Sequence, residues 1–344
     1  MVTPAVAEKL CHDEPVTARP MLPAAPRVFL DPTTREPAFG AYEGPLPAID
    51  ATPSLLERFA RRKRWVYAAL VTETTWVSIV VVRTGYAATT FAFVYDLASK
   101  TMLADESALG TTLLAKVTDD PHADGALATF RLGKTNVSMT RRGATIDLNA
   151  RIGSITLDAQ LDEADAPPPI AAIGRIEGGV WDATEKRTLT RVKGTLTCKG
   201  TTYDLATATG GYDYTHGLLP RHTQWRWGFA LGKVDGKPFA FNVVQGFLGE
   251  VECAAFFGGK VFPIAEPRFV FDREAPLGAW RLEAEGIDLT FTPGAMHADA
   301  TNLLLIKSRF VQPVGTFRGT MRLDGRDLTL VDVPGVVEDQ DVLW

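Results

Sequence analysis

The sequence has few cysteines and no long hydrophobic run. Its three cysteines, Cys11, Cys198 and Cys253, are odd in number and lie far apart, which predicts reduced thiols rather than a disulfide framework. The longest apolar run, WVSIVVV at 76–82, is far shorter than the roughly 20 residues that a helix needs to cross a bilayer. No charged leader precedes an apolar segment near residue 1, so we expect no signal peptide and a cytoplasmic location.

Positive charge is also scarce. The 36 Lys and Arg residues stand against 41 Asp and Glu residues, for a net charge of −5. Without a basic surplus the surface has little with which to neutralise phosphates, so we expect no nucleic-acid partner and no anionic membrane. We interpret the one basic cluster, RRKR at 61–64, as a solvated helix face.

Several common catalytic signatures are missing from the sequence. There is no G-x-G-x-x-G after a strand, no P-loop, no G-x-S-x-G and no H-E-x-x-H. These absences count against nucleotide-dependent redox chemistry, phosphoryl transfer and serine hydrolysis. We therefore expect no cofactor and no metal. The enzyme classes that remain are hydration, dehydration, isomerisation and cyclisation by acid–base groups in a dry pocket.

The sequence does contain many short alternating segments. Residues 1–53 are rich in proline and alanine and predict an extended lead-in. Ser54 and Glu57 have capping-box spacing, which predicts one short helix. From Trp65 onward the pattern has period two, with segments such as TWVSIVVV and ATIDLNA between glycine or polar turns. Since no helical stretch alternates with these strands, we predict an all-β fold with antiparallel sheets closed into barrels or bent sandwiches.

An internal repeat relates the two halves of the chain. Three segments recur in the same order: RWVYAAL (64–70) as RWGFAL (226–231), ADAPPPIAAI (164–173) as ADATNLLLI (298–306), and VKGTLTCKG (192–200) as FRGTMRLDG (317–325). The shared order predicts two tandem β-domains that arose by duplication. Carrying the last offset forward pairs Asp213 with Glu338.

The repeat also predicts where the two domains meet. We expect a first domain over residues 54–212, opened by the short helix, and a second over residues 213–344. The stretch YDYTHGLLPRHTQ is then the loop that joins them, and WRWGFALG is the first strand of the second domain. Because pockets favour domain interfaces and barrel mouths, this polar and aromatic junction is a candidate ligand site.

Four segments carry a family resemblance: DYTHGLLPRHTQWRW, FNVVQGF (241–247), QPVGTFRG (312–319) and PGVVEDQDVLW (334–344). They resemble the bacterial domain-of-unknown-function family 2804, over most of the chain after the lead-in. That family is similar to a wider group of two-domain lipocalin-like (calycin-like) proteins, which includes carotenoid hydratase-like enzymes, hydroxyneurosporene synthase-type proteins and Diels-Alderase-type fungal cyclases. The resemblance implies two tandem lipocalin-like barrels or bent sheets with a site between or inside them. It implies no particular reaction.

Four titratable residues are candidate catalytic groups: Asp213, His216, His222 and Glu338. If both carboxylates face the junction, burial and like charge raise one pKa and place a general acid beside a base. The alternative is that each caps a turn or pairs with an arginine, as Asp213 would with Arg221. Histidine is the side chain best poised for proton transfer near neutral pH, whereas a loop histidine is more often exposed or bonded to the backbone. A zinc site from Asp213 and the two histidines matches no standard ligand spacing.

Five further residues are candidate ligand-binding groups: Arg221, Trp225, Trp227, Asn242 and Gln245. The Arg221 guanidinium suits either an anionic ligand group or an ion pair across the interface. Trp225 and Trp227 share one strand face and supply either core or the wall of an apolar cavity. Asn242 and Gln245 interrupt the apolar strand FAFNVVQGF, where they bind either a ligand or a neighbouring loop.

Together these patterns favour a protein that binds an apolar small molecule, lipid- or isoprenoid-like, near the junction of two β-barrels. An enzymatic version adds cofactor-free hydration, isomerisation or cyclisation. The alternatives are a non-catalytic carrier, with a cavity lined only by apolar groups, and a structural interaction protein with a filled junction. Titratable side chains that converge on an apolar cavity favour the enzyme.

Overall fold

The computed structural model describes residues 19–302 and 307–344, most of which lie in two antiparallel sheets. Cys11 and the end of the segment ADATNLLLI lie outside the described residues. One α-helix, α1, spans Leu55–Ala60, and two short 3-10 turns span Thr112–Leu114 and Gly249–Glu252.

The first sheet contains 14 strands of the described chain. They are β1 (Gly40–Glu43), β2 (Arg62–Val71), β3 (Thr75–Arg83), β4 (Ala87–Asp96), β5 (Thr101–Thr111), β6 (Ala115–Val117), β7 (Gly125–Leu132), β8 (Thr135–Arg142), β9 (Thr145–Ile152), β10 (Ile155–Asp162), β11 (Ile170–Gly174), β12 (Asp182–Cys198), β13 (Thr201–Asp204) and β14 (Thr209–Leu218).

The second sheet contains nine strands of the described chain. They are β15 (His222–Val234), β16 (Lys237–Gln245), β17 (Ala254–Phe257), β18 (Lys260–Pro263), β19 (Arg268–Val270), β20 (Trp280–Ala284), β21 (Ile287–Asn302), β22 (Lys307–Leu323) and β23 (Arg326–Leu343).

Nine strands of the first sheet, β5 to β8 in its spatial order, have the same order as the nine strands of the second. The first runs β5-β4-β3-β2-β14-β12-β10-β9-β8-β7-β6, and the second runs β18-β17-β16-β15-β23-β22-β21-β20-β19. In each, the strand that carries the RW repeat segment, β2 or β15, lies between the next strand of its hairpin and the last long strand of the unit. The expected duplication is therefore confirmed in the topology as well as in the sequence.

Two glycines show the repeat at the level of single residues. Gly194 on β12 and Gly319 on β22 lie at matching positions of two 17-residue strands. Their φ angles are 132° and 133°, a backbone conformation that favours glycine. An added Cβ at Gly194 would overlap the Asp158 carbonyl oxygen, and one at Gly319 would overlap that of Asp288.

The first sheet curls into a nearly closed barrel, and the second is a half barrel that packs against its outer face. Strand β2 shows how the two sheets pack together, because it is buried on both sides. Val66, Ala68 and Leu70 point into the core of the first barrel. Tyr67 and Ala69 point the other way, into a second core that they share with the second sheet. The predicted all-β lipocalin-like fold is thus confirmed.

The segment expected to be the junction loop is mostly strand. Residues 209–218 form β14, which pairs with β2 and β12, so Asp213 and His216 belong to the first sheet. Only residues 219–221 connect β14 to β15. The prediction of a loop over this segment was wrong. Both faces of β14 are buried and carry polar and aromatic residues, so the segment lacks the apolar–polar alternation by which a strand is usually predicted. The division of the chain at 212/213 stays a prediction.

The short helix forms with its predicted cap, but it is shorter than the basic cluster suggested. Ser54 Oγ accepts a hydrogen bond from Glu57 N, and the Glu57 carboxylate accepts one from Ser54 N. The cluster that follows lies on β2 instead of a solvated helix face. Lys63 and Arg64 are buried there, and Arg64 pairs with Asp119 at 2.6 Å.

Candidate functional site

A cavity of about 170 Å³ lies between the two sheets. An apolar cavity of about 150 Å³ is enough to hold a benzene-sized molecule. Strands β2 to β4 of the first sheet form one side, and β15, β16, β22 and β23 of the second form the other. Six aromatic residues make much of the wall, namely Trp65, Tyr67, Trp225, Trp227, Phe247 and Trp344.

Period two on two equivalent strands explains why aromatic rings meet across this cavity. Trp65 and Tyr67 on β2, and Trp225 and Trp227 on β15, are each two residues apart, so each pair shares one face of its strand. The Trp65 and Trp225 rings stack at 5.8 Å with an interplanar angle of 14°. The Tyr67 and Trp227 rings meet edge to face at 5.2 Å. Two equivalent first strands therefore supply two facing aromatic pairs.

Hydrogen bonds within the second sheet fix the indoles of β15. Trp225 Nε1 donates to Glu338 Oε1 at 2.7 Å, and Trp227 Nε1 donates to Asn242 Oδ1 at 2.7 Å. Asn242 Nδ2 in turn donates to the Glu252 carbonyl at 2.8 Å. The polar atoms of these rings are satisfied inside the protein, so the rings offer their apolar faces to the cavity.

A buried lysine carries positive charge to the wall of the cavity. Lys186 Nζ lies 2.6 Å from Asp213 Oδ2 and 3.3 Å from Glu252 Oε2. Burial alone would lower the pKa of Lys186, but the two carboxylates outweigh it and the pKa is raised. Thr184 and Thr215 hydroxyls donate to Asp213 Oδ1 at 3.2 and 3.0 Å. Lys186 is thus a buried ammonium held between two carboxylates.

Glu338 places a carboxyl group with a raised pKa on the wall of the cavity. It is 7% exposed and accepts hydrogen bonds from Trp225 Nε1 and, at 2.9 Å, from Gln312 Nε2. Burial raises its pKa to about 7, against the lowering effect of those two bonds, and the charge of Asp213 raises it further. At neutral pH such a group is present in both forms, so it can donate a proton and accept one.

One more carboxyl group, that of Asp182, acts on Lys186. Asp182 is fully buried at the start of β12, and neither of its oxygens has a hydrogen-bond partner among the described residues. Burial, and then the charge of Glu252, raises the pKa of Asp182 well above its ordinary value. Burial likewise raises the pKa of Glu252. The lysine therefore lies among three carboxyl groups, and the pKa values of Asp182 and Glu252 are both raised.

Comparison with known proteins places the chain in a family. The model of the domain of unknown function DUF2804 matches residues 25–344. The chain belongs to the DUF2804 family. No curated protein matches it at a significant level.

Solved structures share the fold of this DUF2804 protein at low sequence identity. Kievitone hydratase from Nectria haematococca is 13% identical, with a TM-score of 0.51 over 88% of this chain and 96% of that one. CghA, determined with Sch210972, is 11% identical, with a TM-score of 0.50 over 93% of this chain and 97% of that one. These likenesses support the two-barrel architecture.

The DUF2804 chain brings four of the nine candidate residues to the cavity. These are Asp213, Trp225, Trp227 and Glu338. The offset that paired Asp213 with Glu338 puts them at matching places, since Asp213 lies opposite Tyr67 on β2 and Glu338 opposite Trp227 on β15. Asp213 pairs with Lys186 rather than with Arg221.

The two candidate histidines lie away from the cavity. His216 faces the interior of the first barrel, where its ring meets Trp181 at 5.2 Å and Arg62 Nε donates to its Nε2 at 3.0 Å. Burial and the nearby arginines hold the pKa of His216 well below its ordinary value, which keeps it neutral. His222 is exposed and bonds to Asp341 Oδ1 at 2.8 Å. Strand alternation sends His216 and Asp213 to opposite faces of β14.

Three other candidates also point elsewhere. Arg221 is exposed, and its carbonyl accepts a hydrogen bond from Trp344 N at 2.8 Å. Asn242 supports Trp227 instead of lining the cavity. Gln245 Oε1 accepts a hydrogen bond from Phe269 N at 2.9 Å and so ties β16 to β19. Both amides therefore bind neighbouring protein groups, which was one of the two expected alternatives.

Sequence reasoning missed several residues at the cavity, chiefly Lys186, Glu252, Tyr67 and Gln312. The segment WDATEKR did carry a signal, because it puts charged residues into a strand whose neighbour β11, IAAIG, is apolar. Period two then places Asp182, Thr184 and Lys186 on one face of β12. Glu252 lies in a 3-10 turn, and no local pattern indicates its position.

Proposed function

We propose that this DUF2804 protein binds an apolar small molecule in the cavity between its sheets and exchanges a proton with it through Glu338. The observation that carries the proposal is a carboxyl group whose pKa burial raises to about 7, on the wall of an aromatic cavity. A perturbed acid in an apolar pocket is a common mark of a catalytic site.

The wall chemistry supports an apolar ligand with at least one flat portion. Trp65 and Trp225 present stacked indoles, and Phe91 and Phe310 add two further rings. Covering the apolar area of such surfaces stabilises a complex by roughly 25 cal/mol per Å². Lys186 forms a polar cluster with Asp213 and Glu252, and Glu338 is bonded to Gln312, so these parts of the wall suit an oxygen function on an otherwise apolar molecule.

The reactions that fit are hydration, isomerisation and cyclisation. Each needs a proton delivered to, or taken from, a carbon of an unsaturated ligand, and Glu338 has the acidity for either step near neutral pH. Negative charge that develops on an oxygen would gain from the Lys186 ammonium in this water-poor setting. The name hydratase belongs to a structural neighbour at 13% identity, so it lends no reaction to this chain.

A carrier function is the second candidate, because most of the wall is apolar. It predicts the same ligand class with no chemistry. The two functions separate cleanly in deuterated water, since only proton exchange at carbon leaves a mass change in the ligand.

The experiment starts with native mass spectrometry of freshly purified protein and identification of the co-purifying molecule. That molecule is then incubated with the protein in deuterated water. We expect deuterium at carbon with wild type, and binding without deuterium with Glu338→Gln. Asp341→Asn, a carboxylate on the same strand that bonds to His222, is the matched control and should behave as wild type.

Binding without deuterium in wild type would establish the carrier instead. If wild type retains no molecule and takes up no uncharged aromatic probe, the cavity is not a binding site and the whole proposal fails.

A further inference from the structure

A row of polar side chains crosses the cavity side of the second sheet and continues onto the first. It runs from Asp105 on β5 to His297 on β21, Gln312 on β22, Glu338 on β23 and Trp225 on β15. His297 and Gln312 are direct register partners. Gln312 and Glu338 face each other between the pairs Val311–Asp339 and Val314–Val336, and their side chains are hydrogen-bonded.

His297 is held in a fixed orientation at one end of this row. Its Nδ1 lies 2.6 Å from Asp105 Oδ1, which bridges the two sheets. Its ring lies 4.2 Å from the Phe91 ring and 5.7 Å from the Phe310 ring, both of which line the cavity. The residue is 2% exposed, and within residues 19–302 and 307–344 its buried Nε2 has no hydrogen-bond partner.

Gln312 is the link between His297 and Glu338. Its Nε2 donates to Glu338 Oε2 at 2.9 Å, while its buried Oε1 has no hydrogen-bond partner in the described parts of the chain. An amide has one donor end and one acceptor end, so turning it over exchanges what it offers on each side. Two buried polar atoms without partners, on directly paired residues, indicate a hydrogen bond that forms in another protonation state.

We propose that His297 is a positioning residue for Glu338 and acts on it through the amide of Gln312. When His297 is protonated, Nε2–H donates to Gln312 Oε1, and the amide NH₂ faces Glu338 as a carboxylate. When His297 is neutral, with its remaining proton on Nδ1 toward Asp105, the Nε2 lone pair accepts from the turned amide. Gln312 Oε1 then accepts from protonated Glu338. The two arrangements contain the same number of protons. They differ in whether the mobile proton lies on His297 or on Glu338.

This inference gives Glu338 a defined way to be held in its acid or its base form, and it rests on the proposed function for that use alone. Other charged groups also face the row. Asp213, Lys186 and the Tyr67 hydroxyl face Glu338 from the first sheet, and Asp299 lies two residues from His297 on the same cavity-facing side of β21. The electric fields of these groups act across space whether or not Gln312 is present. The test therefore compares two backgrounds that differ only at Gln312.

The test is a pH titration of the histidine ring signals by NMR, with no ligand present. The chain has five histidines, and loss of one signal in His297→Phe identifies the resonance. We expect Glu338→Gln to lower the titration midpoint of His297 by at least about 0.5 pH unit, a roughly threefold change in proton affinity. In a Gln312→Met background the same Glu338→Gln change should shift the midpoint much less, because only the field across space remains.

An equal shift in both backgrounds would show coupling across space and overturn the role of Gln312. No shift in either background would overturn the coupling itself. If Gln312→Met fails to fold, as judged by thermal melting, Gln312→Leu provides the same comparison. Because no ligand is used, failure here is distinct from failure of the deuterium experiment on the proposed function.

Discussion

Glu338 and its chain neighbour Asp339 show how strand alternation gives two adjacent carboxylates different chemistry. Asp339 points to the other face, where Arg226, Arg273 and Arg309 contact it at 3.0, 2.9 and 2.7 Å. Glu338 points to the cavity and accepts hydrogen bonds from the neutral donors Trp225 and Gln312. Burial favours the protonated form of Glu338, and its two neutral donors oppose this effect only in part.

The raised pKa of Glu338 predicts a pH-dependent stability. Because the folded protein binds this proton with a pKa of about 7, against an ordinary value of 4.5, its contribution to stability is complete below the ordinary value and is lost as the pH rises through about 7. The total change is on the order of 3 kcal/mol. We expect Glu338→Gln to gain stability relative to wild type between about pH 5 and pH 8, as measured by urea unfolding.

The surface variant Glu283→Gln serves as the control, since Glu283 pairs with Arg268 at the surface. It should follow the wild-type pH profile. A Glu338→Gln profile parallel to wild type would contradict the raised pKa.

Lys186 provides a second prediction at this scale. Lys186→Met removes the cation between Asp213 and Glu252 and leaves two buried carboxylates without their counter-ion. Breaking a buried ion pair in this way costs about 3–5 kcal/mol. Denaturant unfolding near neutral pH should show this loss. Lys193→Met, at an exposed position on the same strand β12, should cost little, and equal losses for both variants would contradict the account.

Part of the candidate site was predictable from single residues. Trp225 and Trp227 follow from period two, and the pairing of Asp213 with Glu338 follows from the repeat offset. The position of His216 was not predictable, because which face of β14 looks outward depends on how the second sheet packs, and the sequence pattern does not encode that packing. His297, in a segment without any other chemical signal, became visible only through its pairing with Gln312.

At the scale of elements, the long strands β12 and β22, which are equivalent in the two sheets, give the next prediction. Gly194→Ala and Gly319→Ala each place a Cβ against a carbonyl of the neighbouring strand, at φ angles of 132° and 133°. We expect each change to destabilise the protein by about 2–4 kcal/mol in thermal or denaturant unfolding, because both strain and overlap oppose it.

Gly133→Ala is the matched control for these variants. Gly133 also has a positive φ, 58°, but nothing lies within 4 Å of an added Cβ. Its cost should be about 1 kcal/mol, from backbone strain alone. If Gly194→Ala and Gly319→Ala differ widely from each other, the two strands are not equivalent in the way that the repeat indicates.

Elements were the best-predicted level of this structure. The hairpins, the capped helix and the order of the repeat segments follow from local turn chemistry and period two. The connection between the sheets was predicted too long, because β14 carries tyrosine, aspartate, threonine and histidine in alternation. Both faces of such a strand are buried, one in each core, and polar residues on it find partners that the sequence alone does not reveal.

At the scale of the whole molecule, duplication accounts for the position of the cavity. Two units with one topology pack so that their equivalent first strands, β2 and β15, face each other with aromatic residues. The equivalent last strands, β14 and β23, bring one carboxylate each to the same space. Among the helices of the described residues, none is long and apolar enough to span a bilayer. The sequence predicted two units, and the packing of one against the other built the site.

The central claim is that this space between the sheets binds an apolar molecule. The most direct measurement is a fluorescence titration with the uncharged probe phenylnaphthylamine on wild type, Val82→Trp and Val331→Trp. Val82 lines the cavity, whereas Val331 is 61% exposed at the surface. We predict saturable binding to wild type and Val331→Trp, and binding at least about tenfold weaker to Val82→Trp. Equal affinity of all three proteins for the probe would contradict the account.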